Sequence, residues 1–145
     1  MTYISDFEAV FRKECKTHGI DDSIAWANLE AYINNKATRT LIHRGPLNQK
    51  DQTKMDSLMI VGNSLVTCSI MHDGHVANVD ISCLNVRDIL SIKSLIRNDI
   101  ALIVVSTGLT GFQMYVPSTR AEELIKFTES LVELYDKLKA QITPQ

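Results

Sequence analysis

From Ser57 to Pro117 the chain alternates apolar and polar residues with a period of two, in six short segments: SLMIVG, LVTCSIM, HVANVDIS, DILSIKSL, ALIVVST and GFQMYVP. Successive side chains of a strand point to opposite faces, so this spacing predicts strands with one face on a core. Gly, Asn and Asp residues separate them as turn formers. The intervals are too short for a helical crossover between parallel strands, which predicts a consecutive antiparallel meander and excludes a Rossmann-like sheet. TRTLIHR, residues 38–44, alternates too and predicts a first strand.

Helical spacing flanks this region. Ser5 and Glu8 have the spacing of a capping box, Phe7, Val10 and Phe11 recur on one helical face, and Gly19 supplies a stop, which predicts a helix over residues 6–17. Asp21 or Asp22 can cap a second helix carrying Ile24, Ala27, Leu29, Tyr32 and Ile33, with Trp26 on another side and "NNK" at 34–36 as its end. Two short helices bury too little surface alone, so the hairpin must cover something. GPLNQKDQTKMD, residues 45–56, reads as a loop. In STRAEELIKFTESLVELYDKLKAQI, Thr119 and Glu122 form another capping box, and Leu124, Leu131 and Leu138 repeat every seven with Phe127, Leu134 and Tyr135 alongside. That stripe is expected to dock on the chain's own sheet, because the run is barely three heptads; a homodimer through this helix is the alternative.

The expected fold is therefore α+β, as a single domain over residues 1–145. It comprises a helical hairpin (1–37), an antiparallel meander (38–117) and a C-terminal helix (118–142). The meander is expected to form a strongly twisted sheet or partial barrel of six to seven strands closed by the helix. NSLVTCSIMHDGHVANVDISCLNVRDILSIKS and GFQMYVPSTRAEELIKFTESL carry a strand pair leading into an I-x-x-L-x-x-x-D-I-x-S-I stretch, then a last strand running into a capped helix. Over residues 57–138 this order resembles the pleckstrin-homology-like fold of bacterial members, with the N-terminal hairpin outside it. The resemblance implies a non-catalytic platform that binds phosphorylated lipids, peptides or proteins. Its lipid-binding members carry a basic cluster between the first two strands. Here Arg44, Lys50 and Lys54 are interspersed with Asp51 and Asp56, so no phosphate clamp is expected.

Composition narrows the class. At 145 residues, with 45% apolar and 22% charged residues, the chain is long enough for a core and unlike a disordered segment. A net charge of −2 gives no general attraction for nucleic acid or anionic lipid. The first residues, MTYISDFEAVF, lack a basic region followed by an apolar stretch, and the longest apolar runs, such as IALIVV, are too short to span a bilayer. Three cysteines, Cys15, Cys68 and Cys83, an odd number without an export signal, fit reduced thiols and predict a cytoplasmic location.

Little else resembles chemistry. Cys68, His72 and His75, with Asp73 and Asp80 nearby, include ligand types that zinc accepts, so His72 and His75 are the candidate metal ligands. The preferred reading is a hairpin turning on Asp73 and Gly74, which pairs His72 with His75, Cys68 with Val79 and Val66 with Ile81. In that register Val66, Cys68, Ile70, Ala77, Val79 and Ile81 make an apolar face, while Thr67, Ser69, Asn78 and Asp80 make a polar one. Cys68 then points inward, away from the histidines, and no metal or other cofactor is expected. Cys15 and His18 share a helical face as a nucleophile and base would, but no third orienting group or oxyanion motif accompanies them. GLTG at 108–111 lies between two strands and reads as a turn rather than a phosphate loop.

Six residues remain as partner-binding candidates. Arg87, Lys93, Arg97 and Arg120 are candidates for a basic rim, and Trp26 and Tyr32 for an aromatic contact. The function expected is a small non-enzymatic cytosolic module that binds another protein, as a regulator or inhibitor of the kind phages and mobile elements encode. The alternatives are a small-ligand or nucleotide-binding protein, and a dimer like the secretion chaperones.

Overall fold

A computed structural model describes residues 4–33, 38–44, 55–73 and 76–142. Two N-terminal helices, α1 (Ile4–Thr17) and α2 (Asp22–Ile33), precede strands β1 (Thr38–Arg44), β2 (Met55–Val61), β3 (Ser64–Asp73) and β4 (Val76–Asn85). A 3-10 turn at Val86–Asp88 leads into β5 (Ser91–Ile96), β6 (Ile100–Ser106) and β7 (Gly111–Pro117). A second 3-10 turn, Ser118–Arg120, then opens α3 (Ala121–Ile142). The strands form two sheets, ordered β1-β2-β3-β4 and β5-β6-β7. The fold is thus α+β and antiparallel, and the meander is divided between two sheets instead of running through one. The break has a local cause: the Asn85 side chain accepts a hydrogen bond from the Arg87 backbone N–H at 3.0 Å and caps the 3-10 turn. The segment read as one strand from Asp88 therefore extends only from Ser91.

Two compact units result, Met1–Gly62 with Val66–Cys83, and Asn63–Leu65 with Leu84–Gln145. In the first, Phe7, Phe11 and Cys15 recur every four residues on α1 and are buried. Their helix ends in a Schellman arrangement, with Ile20 N–H donating to the Cys15 carbonyl at 2.8 Å and Gly19 N–H to that of Lys16 at 3.1 Å. Gly19 has φ of +74°, a left-handed conformation open to glycine. Asp21 caps α2, its Oδ1 accepting from the N–H groups of Ser23 and Ile24. Asp22 instead meets Arg12, whose guanidinium also holds Glu8 at 2.8 Å and so ties α1 to α2. These hydrogen bonds, Asp22 first and Glu8 second, raise the Arg12 pKa. Ser5 is not an N-cap, because α1 already includes Ile4, and Glu8 is engaged with Arg12.

The helix-side core joins Phe7, Phe11, Trp26, Leu29 and Ile33 to Met55, Met59, Val61, Val66, Cys68 and Ile70. Trp26 lies 6.2 Å from Phe7 and 5.7 Å from Phe11, ring centre to ring centre and tilted, a geometry that aromatic quadrupoles favour. All seven residues of β2 are buried. Met55 and Asp56, read as the end of a loop, are the first residues of this strand. Asp56 is tolerated there because Ser69 Oγ donates to its carboxylate at 2.8 Å. Residues 34–36 and 45–54, read as a helix end and a loop, lie outside the described residues.

In the second unit the register sets Ile92 opposite Val105, Ser94 opposite Ile103 and Ile96 opposite Ala101, and Ala101 and Ile103 in turn face Val116 and Met114. Leu124, Phe127, Leu131, Leu134 and Leu138 of α3 are buried, and α3 contacts β5, β6 and β7. The seven-residue stripe is thus used within the unit. Thr119 falls in the 3-10 turn before α3. Glu122 lies 3.5 Å from Lys126, and Glu123 is 2.8 Å from Arg120. GLTG forms the β6–β7 turn, closed by Thr107 N–H donating to the Thr110 carbonyl at 2.8 Å. Among the described residues no helix is long and apolar enough to cross a membrane.

Candidate interaction surface on α2 and β4

α2 is apolar around most of its circumference, and only part of that surface is used. Ala25, Trp26, Leu29 and Ile33 face the core. Ile24 (62% exposed), Ala27, Ala31 and Tyr32 (38% exposed) point outward. Ile24 and Ala27, grouped with Leu29 and Ile33 from the sequence, thus belong to a second face. Trp26, placed on another side, is a core residue at 5% exposure. Eight of the twelve residues are apolar, so helical period alone could not select the buried side.

Beside this outer stripe runs β4, the last strand in its sheet order. Its alternation is that expected from the sequence: Ala77, Val79 and Ile81 are half-buried, with Val79 and Ile81 packed on the helix-side core, while Val76, Asn78, Asp80 and Ser82 are exposed. Val79, Ile81, Asn28, Ala31 and Tyr32 line an open groove of about 550 Å³. Edge strands of natural sheets are usually short, or carry Lys, Pro or bulges that deter pairing. β4 spans ten residues, VANVDISCLN, with Asp80 as its single charge and neither Lys nor Pro.

The remaining candidates fall elsewhere. Arg87 lies in the 3-10 turn that precedes β5, and Arg97 directly follows the strand. Lys93 is exposed on β5, and Arg120 is paired with Glu123. Ser118 N–H donates to the Asp99 carbonyl at 3.0 Å, which puts the Arg97 and Arg120 segments at the same end of the sheet. His75 and Gly74, and the side chains of His72 and Asp73, lie outside the described residues, as does the expected turn on them. Among the described residues no three His, Cys, Asp or Glu side chains come together as a metal site.

The buried thiols Cys15 and Cys68 are poorly suited to nucleophilic chemistry. Burial first, and the Asp22 and Glu14 charges second, push Cys15 up to about 11; burial pushes Cys68 up to about 12. An activated cysteine needs the opposite shift. His18 of the suggested pair lies 3.5 Å from Glu14. Comparison with protein-family models, curated proteins and solved structures returns no match to this chain.

Proposed function

We propose that the chain is a non-catalytic protein-interaction module, located in the cytosol, whose contact surface is the flank formed by α2 and β4. The observation that carries this reading is the coincidence of an outward apolar stripe, Ile24, Ala31 and Tyr32, with the last strand of the sheet order, ten residues long and carrying neither Lys nor Pro. An added β-strand would satisfy the backbone groups of that edge and cover the stripe at once, which is how strand addition achieves both affinity and specificity. A small-molecule site would enclose most of its ligand, whereas this groove is open. The two antiparallel sheets followed by a closing helix support a pleckstrin-homology-like topology, in keeping with a binding platform, and the raised thiols of Cys15 and Cys68 argue against either as a nucleophile.

A photo-crosslinking amino acid replacing Tyr32 tests the proposal in the native host. Covalent capture of a polypeptide from position 32, with none from the exposed position 137 on α3, is expected. Equal capture from both positions, or none from either, would refute the assigned surface.

A further inference from the structure

Resting on the reading of the α2–β4 flank as a docking surface, we infer that its occupant is a second copy of this chain, joined β4 to β4 antiparallel about a two-fold axis at Val79. In such a pair, directly opposed residues share a face of the sheet, so the helix-side residues Ala77, Val79 and Ile81 must meet one another. The two-fold makes every contact occur twice.

Centring the pair on Val79 sets Ala77 opposite the partner's Ile81 and Asn78 opposite the partner's Asp80. All helix-side pairs are then apolar, and an amide faces each carboxylate. The neighbouring registers are worse. Centring on Asp80 opposes two carboxylates, and centring on Asn78 puts Asp80 against the partner's Val76. Centring on Ile81 draws Asn85 into the apolar face, although its side chain is already committed to capping the 3-10 turn. With Val79 at the centre, the incoming strand's helix-side residues lie along the groove beside Ala31 and Tyr32, so edge and groove fill together. β4 is thus self-complementary in chemistry as well as undefended in backbone.

Sedimentation velocity on the full chain over a concentration series tests this, with Asn78→Asp and Asn78→Lys compared at matched melting temperature. The wild type is expected to be a reversible dimer. Asn78→Asp creates two like-charge cross-strand pairs and raises Kd roughly tenfold, while Asn78→Lys creates two opposite-charge pairs and lowers it by a similar factor. A dimer whose Kd is insensitive to Asn78, or shifts the same way in both variants, would overturn the inference. So would a monomer at every concentration. If that monomer still captures a different protein from position 32, the docking surface stands and only the second copy falls; if it captures nothing, both fall.

Discussion

In α3 the stripe at 124, 127, 131, 134 and 138 is buried on the sheet of its own unit, while Ile125 and Val132 stay outward at 39% and 36% exposure. In α2 the apolar residues fall on almost every side, and the unit it belongs to covers only Ala25, Trp26, Leu29 and Ile33. A helix with one apolar stripe needs one partner. α2 has an outward apolar side as well, and its Ala31 and Tyr32 line a groove with β4, the last strand in its sheet order. The contrast is between a helix whose main stripe meets its own sheet and a helix whose outward side lines a groove with the last strand of a sheet, and it can be broken experimentally at either end.

The largest effects should come from the buried stripes. Phe127→Ala in α3 and Trp26→Ala in α2 are each expected to destabilise the fold by about 3–5 kcal/mol, because each removes a buried aromatic ring and leaves a cavity. Urea unfolding midpoints measure this. A Trp26→Ala loss below about 1 kcal/mol would mean that Trp26 is not a core residue and that the two faces of α2 have been confused.

Alkaline pH should separate the units next. Both raised thiols, Cys15 and Cys68, belong to the helix-side core of the first unit. A folded-state pKa raised to about 11 or 12, against about 8.5 in the unfolded chain, favours the native state while the unfolded thiol is protonated. That advantage is lost as pH rises from about 8.5 toward the folded values, by at most about 1.4 kcal/mol per pH unit per thiol. Unfolding midpoints between pH 8 and 10.5 should fall accordingly, and Cys68→Ala should roughly halve the slope. An unchanged slope would place the Cys68 thiol in contact with water.

Smallest of all should be the effect of the outer stripe on stability. Ile24→Ser and Tyr32→Ser are expected to shift folding free energy by no more than about 0.5 kcal/mol while weakening association through the flank. Losses of several kcal/mol would show that these side chains serve the chain's own core and would remove the contrast with α3.

Where spacing alone decides an outcome, the sequence was legible. The seven-residue repeat of α3, the alternation of β4 and the Gly19 stop all correspond to elements that form. Most of what escaped it depended on partners distant in the chain. Met55 and Asp56 read as loop because nothing local reveals that Ser69 will bond the carboxylate. The split into two sheets turns on one Asn85 cap inside an apolar run. Tyr32 was identifiable as a contact candidate from its residue type. Ile24 was not, since choosing the buried side of a helix apolar on most sides requires knowing where Phe7 and Phe11 lie.

Amide hydrogen exchange along β4 reads the pairing of this edge residue by residue. At low concentration the amides of Val76–Ser82 that point away from β3 should exchange much faster than those paired with β3. Raising the concentration of the chain should slow the outward set selectively while leaving β6 amides unchanged. Outward amides that exchange equally fast at every concentration would contradict the assignment of this edge as the site where a second copy binds.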